Sequence, residues 1–157
     1  MSPGQILFRS HSSAETKKIG NSIGRLLKAG DVVTLRGELG AGKTTLVKGM
    51  GRGLGIGEKE VASPTYVLIH EYAGREKIFH IDWYRLETVE DADELFAEEC
   101  FSSKAVTLVE WPERGKKILP KERFEIELSH EGANSRLIRI VPKGKRYQEL
   151  LRELKNK

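Results

Sequence analysis

Gly37-Glu38-Leu39-Gly40-Ala41-Gly42-Lys43-Thr44 carries more structural information than any other part of this 157-residue chain. It satisfies the pattern G-x-x-x-x-G-K-[ST] at every fixed position. The flanks suit it. Asp31-Val32-Val33-Thr34-Leu35-Arg36 is a β-branched run that predicts a buried strand. Thr45-Leu46-Val47-Lys48 opens a helix. A strand, a glycine turn and a helix start aim successive backbone N–H groups at one point, and the helix dipole adds positive potential there. The amides from Glu38, Leu39, Gly40, Ala41 and Gly42 through Lys43, Thr44 and Thr45 form a candidate phosphate cradle. Lys43 is placed to reach β- and γ-phosphates, and the Thr44 hydroxyl to sit on a magnesium ion.

The length predicts one domain, residues 1–157, large enough for helices on both faces of a sheet. The chain is 38% hydrophobic and 32% charged, the balance of a soluble globular protein. No run of eighteen apolar residues predicts a membrane span. Met1-Ser2-Pro3-Gly4 lacks the layout of a signal peptide. Cys100 is the only cysteine, so no internal disulfide can form, and a cytoplasmic location is expected. Its acidic neighbours disfavour a thiolate, which predicts a structural role. Four scattered histidines and one cysteine do not suggest a zinc site.

The net charge of +4 lies in the tail. Residues 143–157 hold six basic and two acidic groups, leaving residues 1–142 neutral. A protein that grips nucleic acid directly spreads basic charge over its fold. The tail instead reads as a solvated terminal helix, with partner docking as the alternative.

Along the chain, Ile6 to Phe8 predicts a short strand. A helix capped by Ser12 runs to about Lys28, with Ile19, Ile23, Leu26 and Leu27 on one face. Gly49, Gly51 and Gly53 then fall in or at the end of the helix after the glycine turn. Each interior glycine costs about 1 kcal/mol, so either two backbones approach closely there or the helix frays. Tyr66–Tyr72 and Ile78–Tyr84 predict an antiparallel hairpin about Ala73-Gly74-Arg75-Glu76. Leu86 to Phe101, with seven acidic residues and no basic one, reads as helical. Val106 to Val109 predicts a buried strand. Phe124–Leu128 and Leu137–Val141 predict strands joined by a turn at Glu131-Gly132-Ala133-Asn134. A short helix, about Tyr147 to Leu154, closes the chain.

Chemistry on a nucleotide needs a second element, a carboxylate at the end of a neighbouring strand. Two apolar runs end that way, one at Asp82 and one at Glu110. One acid could hold a metal while the other orients a water. Alternation puts His80, Asp82 and Tyr84 on one strand face, either as the wall of a site or as a polar face beneath a helix. Thr65 sits where nucleotide switches place a γ-phosphate-sensing threonine, although Pro64 could equally set it in a hydroxyl turn. Trp111 reads as packing or as a stacking platform.

GELGAGKTT, SPTY, HIDWYR and VEW, in this order and at these spacings, resemble the TsaE family of bacterial tRNA threonylcarbamoyladenosine biosynthesis. The resemblance runs through most of the chain, strongest from Leu35 to Pro112. It implies a three-layer α/β/α sandwich around a mixed sheet of about seven strands, the fold of a P-loop NTPase. It implies binding of ATP and Mg2+, slow hydrolysis, and action on a TsaB–TsaD partner complex, with tRNA met only indirectly. By resemblance Lys43 and Thr44 keep their loop roles, Thr65 is switch-like, Asp82 serves hydrolysis, Glu110 lies on the magnesium side and Trp111 beside it. Looser matches place adenine contacts near Ser13 and Gly132. Trp83 stands where the family commonly has leucine, and Leu95-Phe96 where glycine often follows leucine.

Three rivals are open to the same loop. A small-molecule kinase needs an acceptor site and usually an arginine-bearing lid, and Arg52, Arg75 and Arg85 are widely spaced. A GTPase needs a guanine-reading Asn-Lys-x-Asp, which the sequence lacks. A nucleotide-dependent interaction module would make hydrolysis incidental.

Overall fold

The computed structural model describes residues 4–38, 40–61, 69–84, 98–101 and 104–156. Seven strands form one sheet: β1 (Ile6–Ser10), β2 (Val32–Arg36), β3 (Ile69–Ala73), β4 (Lys77–Asp82), β5 (Val106–Glu110), β6 (Arg123–His130) and β7 (Arg136–Lys143). Among the described residues three long helices accompany them: α1 (Ser13–Leu26), α2 (Lys43–Gly53) and α3 (Lys145–Lys155). The order across the sheet is β1-β7-β6-β2-β5-β4-β3. The four middle strands, β6, β2, β5 and β4, run parallel. The remaining pairs are antiparallel. The expected mixed seven-stranded α/β sheet is what forms.

The parallel centre explains the sequence pattern. A central strand covered on both faces is apolar throughout rather than alternating. β5 is buried at all five positions, and β2 at its first four. One face packs beneath the three helices, with Ile23, Leu27, Leu46, Met50, Leu150 and Leu154 meeting Leu35, Leu108 and Ile126. On the other face a smaller cluster gathers Phe79, Ile81, Trp83, Cys100, Ala105 and Val109. Residues 98–101 are helical. Residues 86–97 of the expected acidic helix lie outside the described residues, as do Leu39, Thr65 and residues 66–68 of an expected strand.

The glycines of α2 allow close approach. A Cβ at Gly53 would stand 2.5 Å from the Asn21 carbonyl oxygen, and one at Gly20 equally close to that of Leu46. Gly24 and Gly49 meet Met50 and Lys17 backbone in the same way. Small residues four apart on both helices therefore let α1 and α2 touch backbone to backbone. This locks α2 against α1, and with it the glycine turn at its start.

Boundaries moved by a residue or two. α1 ends at Leu26 rather than near Lys28, where the extended Leu27 caps it by donating to the Gly24 carbonyl. Ser12 caps its start, its hydroxyl accepting from Glu15 N at 3.1 Å. The hairpins close as expected, Ala73 opposite Lys77 and His130 opposite Arg136. The tail is more firmly docked than a solvated helix. Tyr147, Leu150, Leu151 and Leu154 are buried. Arg146 donates to both Asp31 oxygens at 3.0 and 2.8 Å, and Val32 N donates to Tyr147 Oη at 2.8 Å. Lys143, Lys145, Arg152 and Lys155 keep the solvent side.

Candidate active site

The glycine turn leaves the end of β2 and enters α2. Gly42 is the N-cap of α2 at φ 104°, and Gly40 lies at φ 78°. Both values belong to the left-handed region that L side chains avoid. No side chain caps α2 and no acid sits in its first turn. No acid of its own first turn offsets its positive end, a condition that favours a foreign anion. The loop is braced from outside by Arg136 at the start of β7, which donates to the carbonyl oxygens of Ala41 at 3.0 Å and Gly40 at 3.3 Å. Sequence reasoning missed this arginine. Only the β6–β7 pairing carries it to the loop.

Lys43 folds back into the cradle and donates to the carbonyl oxygens of Gly37 and of Glu38, the latter at 3.3 Å. Its ammonium lies 4.1 Å from the centroid of the Trp111 ring. Burial pulls its proton affinity below the usual lysine range, against the opposing pull of Glu110, Glu113 and Asp82. Lys43 is only 5% exposed. Thr44 follows in the first turn of α2, half-buried.

β4 and β5 deliver the two acids side by side, with Asp82 opposite Glu110 in the parallel register. They are 9% and 3% exposed. Glu110 Oε2 lies 2.6 Å from His80 Nε2, and His80 Nδ1 lies 3.3 Å from the Tyr72 hydroxyl. Asp82 Oδ1 accepts from Tyr84 N at 2.8 Å. Burial raises the Asp82 pKa; the Tyr84 N–H opposes this, Glu110 adds to it, and His80 and Lys43 oppose it. His80 and Asp82 share the face under the helices, while Phe79, Ile81 and Trp83 take the other, as alternation predicts. Tyr84 lies beyond the strand, which stops at Asp82, and its ring packs 4.9 Å from that of Trp111. Trp111 is the one described non-glycine residue at positive φ, 57°. It packs between Lys43 and Tyr84 directly after Glu110.

Two cavities flank the loop. One of about 250 Å³ is lined by His11, Ser12, Ser13, Thr16, Gly42, Thr45, Asn134 and Arg136. It brings Ser13 beside the start of α2. Gly132 does not line it and lies on the exposed turn two residues before Asn134. A second cavity, about 440 Å³, opens between Gly37, Glu38, Ala41, Trp111 and the end of β6.

The donor set fits a magnesium ion that arrives with a polyphosphate. Among the described residues no three His, Cys, Asp or Glu side chains gather into a metal-holding group. Magnesium in phosphate sites takes only one or two protein ligands and completes its shell with phosphate oxygens and water. A helix-start hydroxyl at Thr44 and a strand-end carboxylate at Glu110 would make up that number.

A glycine turn between a central parallel strand and an uncapped helix, with acids ending the next two strands on one side, defines the P-loop class of nucleotide-binding α/β proteins. Residues 10–138 match the family described as TsaE, threonylcarbamoyl adenosine biosynthesis protein. The tRNA threonylcarbamoyladenosine biosynthesis protein TsaE of Bacillus subtilis is 40% identical over 151 residues, 96% of this chain and 94% of the relative. Its counterpart in Treponema pallidum is 44% identical over 119 residues, 76% and 87% of the two chains. A crystal structure of Bacillus subtilis YdiB superposes with a TM-score of 0.83 at 36% identity, covering 98% of this chain and 95% of that one. The chain belongs to the TsaE family of tRNA threonylcarbamoyladenosine biosynthesis.

Proposed function

We propose that this single domain is a magnesium-dependent ATPase whose hydrolysis cycle drives a TsaB–TsaD partner complex that modifies the adenosine next to the tRNA anticodon. One observation carries the reading above the others: the carboxylates of Asp82 and Glu110 emerge in register beside a glycine cradle that already holds Lys43.

The amides of the loop and of the first turn of α2 would bind the phosphates, with Lys43 exchanging its carbonyl partners for phosphate oxygens. Lys43 would then stabilise charge on the transferring phosphoryl group from a dry, preset position. Thr44 and Glu110 would hold magnesium, which supplies neutralising charge to the phosphates. Asp82 keeps Oδ1 on the Tyr84 amide, leaving Oδ2 for the attacking water. Its raised proton affinity suits a group that orients that water and takes up its proton. Thr65 would sense the γ-phosphate. Ser13 and Gly132 would lie toward the adenine, and the cavity beside Ser13, Thr45 and Asn134 supports the first of these placements.

Among the described residues no helix is long and apolar enough to cross a membrane. Cys100 is buried, its thiol pushed up to about 11 mainly by burial, which supports a structural thiol; a cytoplasmic setting is part of the proposal. TsaB and TsaD are the expected partners, and contact with tRNA is indirect. ATP turnover measured with and without purified TsaB and TsaD tests the proposal: slow turnover alone, accelerated by the pair, is expected. Equal turnover in both, or phosphate delivered to a metabolite, would overturn it.

A further inference from the structure

We infer that His80, braced by Tyr72, is the positioning residue that aims Glu110 at the metal. The inference rests on the proposed role of Glu110 as the magnesium-side acid. It adds a side chain that neither strand-end pattern reveals.

Three adjacent strands carry the arrangement. Glu110 ends β5, His80 lies in β4 two residues before Asp82, and Tyr72 comes from β3. His80 is wholly buried. Its two ring nitrogens are both engaged, Nε2 with Glu110 at 2.6 Å and Nδ1 with the Tyr72 hydroxyl at 3.3 Å. A neutral imidazole has one donor and one acceptor nitrogen. With the Tyr72 hydroxyl donating to Nδ1, the proton sits on Nε2 and points at Glu110. The histidine thus occupies Oε2 and leaves Oε1 as the oxygen for a metal.

The alternative partner for Glu110 is close. Glu110 is the largest single charge acting on Lys43. A glutamate has three side-chain torsions. Released from His80, it would turn toward that ammonium. Both groups would then be lost to the phosphate and its metal. Burying such a pair also carries a desolvation cost that an apolar pair would avoid, so packing alone does not account for a histidine and a glutamate here. Partners that hold a metal ligand in place are worth about 10- to 100-fold in metal affinity.

The test is a Mn2+ titration of ADP-loaded full-length protein, followed by electron paramagnetic resonance, beside ADP affinity in EDTA. For His80→Leu, Mn2+ affinity should fall about 10- to 100-fold while ADP affinity in EDTA stays at the wild-type level. His80→Gln keeps an N–H near the Nε2 position and should restore most of the Mn2+ affinity. Tyr72→Phe should produce a smaller loss than His80→Leu. Wild-type Mn2+ affinity in His80→Leu would overturn the inference. So would parallel loss of metal and metal-free nucleotide binding in both His80 variants, which marks a purely structural residue. Wild-type protein that binds no ADP in EDTA would instead overturn the nucleotide reading itself, and the inference with it.

Discussion

The ends of β4 and β5 look alike in sequence, each an apolar run closed by an acid, yet the fold gives the two acids different surroundings. Glu110 spends one oxygen on His80 and stands on the central side of the pair, next to β2 and the loop. Asp82 lies one strand further out, tied among the described residues to the backbone amide of Tyr84 alone, and burial raises its pKa. A carboxylate fixed by a side-chain donor suits a metal ligand. One that is desolvated and loosely tied suits a group that handles water. Strand order and the neighbouring side chains, more than the strand-end pattern, separate the roles.

The largest effect should come from Asp82→Asn. Hydrolysis is expected to drop about a hundred- to ten-thousand-fold, the usual worth of a positioned acid–base group, while ATP affinity is kept. Steady-state turnover beside equilibrium binding checks this, and unchanged turnover would remove Asp82 from the chemistry. Gly24→Ala disturbs the platform under both ends. Its Cβ would collide with the Met50 backbone, so a stability loss of roughly 2–3 kcal/mol is expected in urea. Unlike the acid variants, it should weaken metal-free and metal-dependent nucleotide binding together. Glu110→Gln should lower magnesium-dependent nucleotide affinity by at least about tenfold, the scale on which even outer partners of a metal act, and leave binding in EDTA intact. Equal losses in Asp82→Asn and Glu110→Gln would erase the distinction between the two ends.

The smallest effect is on stability and has a definite sign. The folded protein binds the Asp82 proton more tightly than the unfolded chain does, because burial raises its pKa. Stability therefore falls as pH rises from the ordinary aspartate range through the raised value, and the full cost is present above it. Asp82→Asn should melt higher than wild type at pH 7, and the gain should disappear as the pH falls to 3. Melting curves at the two pH values decide it.

Much of this was legible because it is local. The loop pattern, the Ser12 cap, the two hairpins and the acids closing β4 and β5 each depend on residues within a few positions of one another. What escaped depends on register between distant segments. The glycines at 49, 51 and 53 left close approach and fraying equally open, since the neighbours of Gly49 and Gly53, around Gly20 and Gly24, lie on another helix, while Gly51 faces Val61. His80 meets Glu110 only once β4 pairs with β5. Arg136 reaches the loop only because β7 folds back on β6. The reading of the tail as solvated underweighted Tyr147, Leu150, Leu151 and Leu154, which repeat at helical spacing and bury the helix on the core. The expected role of Thr65 falls outside the described residues.

Every role proposed for the site depends on the grip of the turn from Gly37 to Thr44 on a polyphosphate. Calorimetric titration of magnesium–ATP into the wild-type chain and into Lys43→Ala tests it most directly. Saturable one-to-one binding that is lost or severely weakened in the variant is predicted; no complex with wild type, or equal affinity in both, would contradict it.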